Sequence, residues 1–405
     1  MSGQRVVILG GGLVGMTLAI ALARNGIASD VVDASDPAAQ TAEGFDGRAS
    51  AISTASWNLY TNLGMDGELE GKGCPIAAIA VSDGLKPGRI DFRPGPDEGS
   101  LGRMFANRDL RLAMYQAAAR EPLVAFHPNA RVTKRERGRH GVSVTLADGR
   151  ALTGALLVGA EGRASPTRDE AGFTPARWGY GHRALITALA HEKPHEGVAW
   201  EIFYPAGPFA LLPLRDADGS AWPHRSALVW TVAETNAEAV LTLPERAFLA
   251  EVETRMGGVF GRVALAAPRS SYPLAFHHTA SIVAERLALV GDAAHGMHPI
   301  AGQGLNVGLR DVAALAEVLA EAARLGLDFG DAQVLARYER WRASDTLMVA
   351  TATDVLTRLF GLPGKLPSAV RRLGMAGVQR LSPLKTWFMD EARGMSGELP
   401  ALLKG

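Results

Sequence analysis

One cysteine, Cys74, stands in a chain of 405 residues, so no intramolecular disulfide can form and a cysteine-rich zinc site is excluded. A reducing compartment is the expected setting. Charge of one sign is missing as well, because 42 basic side chains meet 42 acidic ones. With no bulk positive field, nucleic acid is not an expected partner. The start, Met1-Ser2-Gly3-Gln4-Arg5, lacks the charged head, apolar middle and small-residue cleavage site of a secretion signal. The apolar stretch from Val6 to Ala23 is interrupted by Gly10, Gly11, Gly12 and Gly15. It divides into a strand and a helix and is not expected to span a membrane. Glycine is frequent, at 46 residues, yet shows neither a collagen-like period nor a tandem repeat. What remains is globular composition, 47% apolar and 21% charged, long enough for two or three lobes.

The order of elements points to an α/β fold. Arg5–Leu9 reads as a buried strand, Val14–Asn25 as a helix stopped by Gly26, and Ser29–Asp33 as a second strand. Strand, glycine turn, helix and strand make a βαβ unit and imply a parallel sheet. Arg108–Arg120 reads as a helix, Gly141–Leu146 with Gly149–Leu152 as a hairpin, and Leu156–Gly159 as a buried strand. From about Arg177 to His277, strands alternate with turns, as at Ala199–Tyr204, Phe209–Leu214 and Ala227–Ala233. That texture predicts an antiparallel sheet with one covered face and one face shaped for a ligand. Arg286–Val290 restores the buried-strand pattern and Gly304–Arg324 reads as a long helix. One sheet is therefore built from both ends of the chain, with another inserted. The last sixty or so residues read as helices broken by Pro363, Pro367 and Pro383.

Gly10-Gly11-Gly12-Leu13-Val14-Gly15 is a G-x-G-x-x-G between strand and helix. Gly10 permits the tight turn, Gly12 lets backbone approach a pyrophosphate, and Gly15 lets helix pack on strand. The helix start offers N–H groups and a positive dipole end to phosphates. Asp33 closes the second strand, where a carboxylate accepts hydrogen bonds from a ribose. This motif alone does not separate FAD from NAD(P).

A later run begins with strand-borne Gly291-Asp292 and continues as His298-Pro299-Ile300-Ala301-Gly302-Gln303-Gly304-Leu305-Asn306-Val307-Gly308-Leu309-Arg310-Asp311. Asp292 offers a carboxylate to a sugar-alcohol hydroxyl. Pro299 stiffens the loop. Gly302 and Gly304 let backbone N–H groups approach an electron-rich ring edge at a helix start, where accumulating negative charge is stabilised.

This run resembles the signature of the FAD-dependent aromatic monooxygenases of the p-hydroxybenzoate hydroxylase type, and most closely their ubiquinone-biosynthesis hydroxylase subgroup. Further likeness lies in Phe45-Asp46-Gly47-Arg48-Ala49, Asn107-Arg108-Asp109-Leu110-Arg111, Gly207–Leu214, Val229-Trp230-Thr231, Leu359-Phe360 and Leu399-Pro400. It covers nearly the whole chain. The resemblance implies a Rossmann-like FAD-binding domain (1–75, 105–175 and 278–345), an inserted, mainly antiparallel substrate domain (76–104 and 176–277), and C-terminal helices (346–405). It implies FAD as cofactor, NADPH or NADH as transient reductant, and O2. It further implies that a flavin C4a-hydroperoxide hydroxylates the ring of a hydrophobic prenylated phenol or quinol in ubiquinone biosynthesis. Pro299, Gly302, Gln303, Gly304 and His298 fall beside the flavin ring. The cofactor contacts expected are Gly10, Gly12, Leu13, Val14, Gly15, Asp33, Arg48, Arg108, Glu161, Gly291, Asp292, Leu305 and Asn306, together with Pro299, Gly302 and Gly304. For Arg48 and Arg108, surface ion pairing is the competing reading.

The family's middle motif, Gly-Ala-Asp-Gly, is here Gly159-Ala160-Glu161-Gly162, followed by Arg163, Ser165 and Arg168. Glu161 keeps the charge and adds a methylene, which leaves nucleotide affinity and the choice of NADH or NADPH open. Phe209, Leu211 and Pro213 alternate along one strand, and Trp230 lies on a neighbouring one. They are candidates for an apolar substrate pocket, with ordinary sheet core as the alternative. His295 and His298 sit in a loop without a carboxylate cluster, so no metal is expected. Cys74 shows no sign of activation.

An insoluble substrate must come from a membrane, a carrier or a protein complex. Val355–Arg393 carries seven basic residues (Arg358, Lys365, Arg371, Arg372, Arg380, Lys385 and Arg393) against Asp390 and Glu391. Interspersed apolar residues make this segment either a docking surface for the membrane or other ubiquinone-biosynthesis proteins, or a helical cap. The expected location is cytoplasmic, peripheral at the inner face of the membrane. Two other functions stay open: hydroxylation of a soluble phenol in aromatic catabolism, and a non-catalytic FAD-bound scaffold.

Overall fold

The computed structural model describes residues 4–95, 98–205, 207–296, 303–343 and 382–405. The chain has an α/β fold. A six-stranded sheet runs in the order Val283–Ala284, Leu287–Leu289, Leu156–Gly159, Arg5–Leu9, Ala28–Val32, Val124–His127. Its central pairings are parallel, with Ile8 opposite Val31 on one side and Val158 on the other. Val6, Val7, Ile8 and Leu9 are sealed from solvent, as a strand covered on both faces requires. The helix Leu13–Arg24 is buried nearly all round and packs against the helices Gln303–Arg324 and Asn107–Ala119. Residues from both ends of the chain thus share one core.

The inserted nine-stranded sheet takes Ala78–Asp83 and Ile90–Phe92 along one edge and then draws on residues 176–296. Its pairings are antiparallel, except between Val198–Tyr204 and Ala78–Asp83, which run parallel. One face is covered by the helices Glu234–Leu241 and Glu245–Met256. The other packs toward a small sheet of Ala49–Ser53, Gly102–Ala106 and Cys74–Pro75.

Most predicted elements stand within a few residues of their expected bounds. The region from Arg177 to His277 differs, because it contains those two helices as well as strands. Glu245–Met256 buries only Phe248, Val252 and Met256, one residue per turn, so its apolar stripe is too narrow to read beside strands. Gly257 ends it in the left-handed region at φ 63°. The longest strand, Ala176–His191, also differs from expectation. Its first half alternates exposed and half-buried residues, with Trp178 and Tyr180 packed toward Phe276, and only its second half is almost continuously buried. His298, Pro299 and Gly302, and the tail's basic residues from Arg358 to Arg380, lie outside the described residues.

Candidate functional site

The glycine turn fits its position because side chains would not. Gly10 has φ 106°, and a Cβ there would lie 2.4 Å from the Ala160 carbonyl oxygen. A Cβ on Gly15 would lie 1.9 Å from the Gly10 oxygen, so this residue sets how closely helix approaches strand. Gly12 is different: a Cβ there would meet no protein atom within 4 Å and would project into a cleft. Gly12 is also the N-cap of the Leu13–Arg24 helix and supplies no side-chain cap. The first N–H groups of that helix therefore keep their hydrogen-bonding capacity, beside the positive end of the dipole.

The cleft has a volume of about 910 Å³. Gly10, Gly12, Leu13, Val14, Asp33, Glu161, Asp292, Gly304 and Leu305 line it. Asp33 is held by the Gly11 N–H, which donates to its Oδ2 at 2.6 Å, and by the Ser35 N–H at 2.7 Å. Asp292 faces Arg163, whose Nε lies 3.3 Å from its Oδ2. An uncapped helix start, a glycine with open space before it, and two carboxylates, one just past a strand and one in the Gly291–Ala293 turn, form a donor and acceptor set that fits an adenine dinucleotide.

Several expected contacts fall elsewhere. Arg48 is half exposed and pairs with Asp46 at 2.6 Å, outside the cleft lining. Arg108 donates from Nε to the Thr41 and Ala42 carbonyls at 3.0 and 2.8 Å, also outside it. One turn further along that helix, Arg111 lines the cleft instead, and burial lowers its pKa. The i, i+3 spacing from Arg108 is the signal that sequence reading passed over. Asn306 does not reach the cleft lining. Its Nδ2 donates to the Ala51 carbonyl and its Oδ1 accepts the Ser53 N–H, each at 3.0 Å, which ties the late helix to the Ala49–Ser53 strand. Gly291 has φ 61°, and its N–H donates to Asp311 Oδ2 at 2.8 Å, so it shapes the loop behind Asp292. Gln303 approaches the Ala392 carbonyl at 3.5 Å.

Glu161 lines the cleft, with its carboxylate already engaged. It accepts from Arg135 at 3.0 Å, Ser165 Oγ at 2.6 Å and the Thr167 N–H at 3.1 Å. Arg135 lines the cleft beside it and was not anticipated.

The substrate-side expectation is corrected by strand parity. Phe209, Leu211 and Trp230 belong to the core beneath the Glu234–Leu241 and Glu245–Met256 helices. Pro213 stands opposite Ser226, whose hydroxyl contacts His191 on the same covered side. The opposite face, with Leu212, Val229 and Tyr272, meets the cleft. Burial raises the Tyr272 pKa. Both faces of these strands are apolar, so alternation alone could not choose between them.

Behind the cleft, Asp311 and Arg342 are sealed from solvent and His295 is nearly so. Asp311 Oδ2 lies 2.8 Å from His295 Nε2. Burial works to raise the Asp311 pKa, but His295 and Arg342 outweigh it and hold the carboxyl below its ordinary value. Among the described residues, no cluster of histidine, cysteine, aspartate or glutamate is arranged to hold a metal. Cys74 is buried, and burial first, then Asp216, pushes its thiol up to about 11, away from the reactive thiolate.

Residues 4–351 match the FAD binding domain family. The chain is 44% identical over 403 residues to the ubiquinone hydroxylase UbiL of Rhodospirillum rubrum, covering 99% of this chain and 92% of that one. It is 31% identical to the 3-demethoxyubiquinol 3-hydroxylase of Escherichia coli, covering 96% and 98%. Among solved structures, the p-nitrophenol 4-monooxygenase PnpA of Pseudomonas putida superposes with a TM-score of 0.80 at 17% identity, covering 98% and 99%. A probable FAD-dependent monooxygenase of Pseudomonas aeruginosa, PqsL, gives 0.76 at 21% identity, covering 93% and 99%. These two likenesses carry the fold, and the sequence relatives carry the family. The chain belongs to the FAD-dependent aromatic monooxygenase family, in its ubiquinone-hydroxylase branch.

Proposed function

We propose that this protein hydroxylates the aromatic ring of a polyprenylated phenol or quinol on the route to ubiquinone, with FAD as cofactor and NADPH or NADH as reductant. One observation carries the reading: a single cleft joins the phosphate-binding turn at Gly10 and Gly12 to the apolar sheet face at Leu212 and Val229. Dinucleotide and ring substrate can then meet in one cleft.

Leu13, Val14, Asp33 and Asp292 would hold FAD, which would supply hydride acceptance from NAD(P)H and dioxygen activation for transfer of one oxygen atom to an electron-rich ring. The residues have simpler tasks. The N-terminal turn at Leu13 and Val14 binds phosphate. Asp33 and Asp292 accept hydroxyl hydrogen bonds. The start of the Gln303–Arg324 helix, at Gly304 and Leu305, offers N–H groups and a dipole to developing negative charge. Leu212 and Val229 exclude water from the reacting ring. The family signature assigns Pro299, Gly302 and His298, which lie outside the described residues, to the edge of the flavin ring.

Purified protein tests this directly. It is expected to be yellow, and to consume NAD(P)H faster when a prenylated phenol is added. A deletion strain should accumulate the unhydroxylated ring in its quinone extract. Tight coupling with short soluble phenols favours the catabolic alternative. A flavin that stays oxidised under saturating NAD(P)H in the absence of oxygen favours the scaffold.

We further propose peripheral docking at the cytoplasmic face of the membrane, with other ubiquinone-biosynthesis proteins as candidate partners. Trp387 is 40% exposed on the Ser382–Arg393 helix, and its ring meets that of Phe388 at 4.9 Å between centroids. Among the described residues, no helix is long and apolar enough to cross a membrane. Flotation with anionic vesicles at low salt should carry the protein upward, and absence of binding would remove this proposal.

A further inference from the structure

The cleft-facing side of the large sheet has a floor of small residues with polar groups around it. Directly opposite residues on paired strands share a face, so the register defines that side. Glu201 stands opposite Ala210, Ala210 opposite Val229, and Val229 opposite Ile186. In the next rung, Thr231 stands opposite Ala184 and Ala184 opposite Tyr272. Val229 and Tyr272 line the cleft, which makes this the cleft side of the sheet; Glu201, Ala210, Ala184 and Thr231 continue the same face just beyond that lining. Trp200 and Ile202, the neighbours of Glu201 in sequence, turn to the covered core instead.

Glu201 is 9% exposed, and among the described residues nothing donates to its carboxylate or pairs with it; burial is the one influence acting on it. Thr231 is 2% exposed, and its Oγ1 is likewise without a partner. Burying a polar group unpaired costs on the order of 1–3 kcal/mol, so two on one sheet face give the fold no benefit. Their benefit must come from something that enters the cleft. Adjacent strands lie about 4.8 Å apart, so Glu201 and the Val229–Thr231 strand are about 10 Å apart. A phenolic ring with its oxygen substituents spans that gap across the methyl group of Ala210.

We propose that Glu201 is a specificity-determining residue that hydrogen-bonds a ring hydroxyl of the substrate, with Thr231 and Tyr272 completing the polar rim over Ala210 and Ala184. This assignment rests on the ring-hydroxylase reading above and names the group that selects its substrate class, a ring bearing a free hydroxyl. Burial alone pushes the Glu201 carboxyl up to about 8, so it is mostly neutral at neutral pH. A neutral carboxyl both donates and accepts, as an amide does. Val81 and Ala210, its neighbours across the sheet, carry no charge.

The test titrates FAD-loaded protein with ortho-prenylphenol and with its methyl ether, reading the flavin absorbance. Wild type should bind the phenol at least about tenfold more tightly than the ether, as one buried hydrogen bond allows. Glu201→Leu should lose that preference, and its Tm should hold or rise because an unpaired carboxyl leaves the core. Glu201→Gln should keep the preference, since the amide replaces the neutral carboxyl. The assignment is overturned if Glu201→Leu still discriminates, if Glu201→Gln loses as much as Glu201→Leu, or if FAD-loaded wild type binds both compounds alike. Wild type that holds no FAD overturns the parent reading instead.

Discussion

Arg342 Nε donates to Asp311 Oδ1 at 2.7 Å in a place that solvent does not reach. The same carboxylate accepts the Gly291 N–H, so the pair supports the loop that presents Asp292 to the cleft. Removing Arg342 takes the nearest full charge from Asp311 and leaves His295 and the Gly291 N–H to hold a carboxylate sealed from solvent. Arg342→Met is expected to cost about 3–5 kcal/mol of stability. Thermal unfolding should show it, with FAD lost at lower temperature. The Asp311 carboxyl is held below its ordinary value of 3.8. It therefore stabilises the fold above that pH, and the contribution fades as pH falls further.

Two buried histidines set a gentler pH dependence. Burial is the largest influence on His277 and His191, and it lowers both from 6.5 to about 4. The unfolded chain binds these protons more readily than the folded one. Their contribution to stability is thus complete above 6.5 and is lost progressively as pH falls toward 4. Tm measured across that window should decline. His277→Gln should remove roughly one proton from the linkage and flatten the slope.

Gly12 and Gly15 should separate binding from folding. Gly12→Val places its side chain in open space, so the apoprotein should melt near the wild-type temperature yet fail to retain FAD. Gly15→Val drives atoms into the Gly10 carbonyl and should lower Tm before any cofactor is added. Flavin absorbance and circular dichroism on the same samples tell the two outcomes apart.

The two faces of the inserted sheet should respond differently. Phe209→Ala opens a cavity in the covered core and should cost about 3–5 kcal/mol, with little change in KM. Val229→Phe adds bulk on the cleft side and should raise KM severalfold while Tm changes little. Steady-state kinetics beside thermal melts would check both.

Asn306→Ala should leave the Ser53 N–H and the Ala51 carbonyl unpaired, at a cost of about 1–3 kcal/mol each. Denaturant titration should register this as a shifted midpoint with an unchanged slope.

The glycine turn was legible because its physics is local: the spacing of Gly10, Gly12 and Gly15 determines turn, open space and packing within six residues. Asp292, expected on a strand, stands in the short 3-10 turn Gly291–Ala293 beyond it, whereas Asp33 was legible as a carboxylate just past a strand. The choice of Arg111 over Arg108 was not, since it depends on which side of a helix meets a strand far away in sequence. Nor was the face carrying Leu212 and Val229. Phe209 and Leu211 are equally apolar neighbours, and only the helices packed over them decide the matter. Glu201 was invisible for a related reason: a charged residue among apolar ones reads as an exposed position until the sheet around it is complete.

The first strand pairs with one contributed by Leu156–Gly159, which in turn pairs with Leu287–Leu289. A ribosome must therefore deliver nearly three quarters of the polypeptide before that layer can close. During synthesis the inserted strands emerge while their host is still unfinished. Nascent chains halted short of Leu287 should be protease-sensitive at their beginning, however well their middle has already settled.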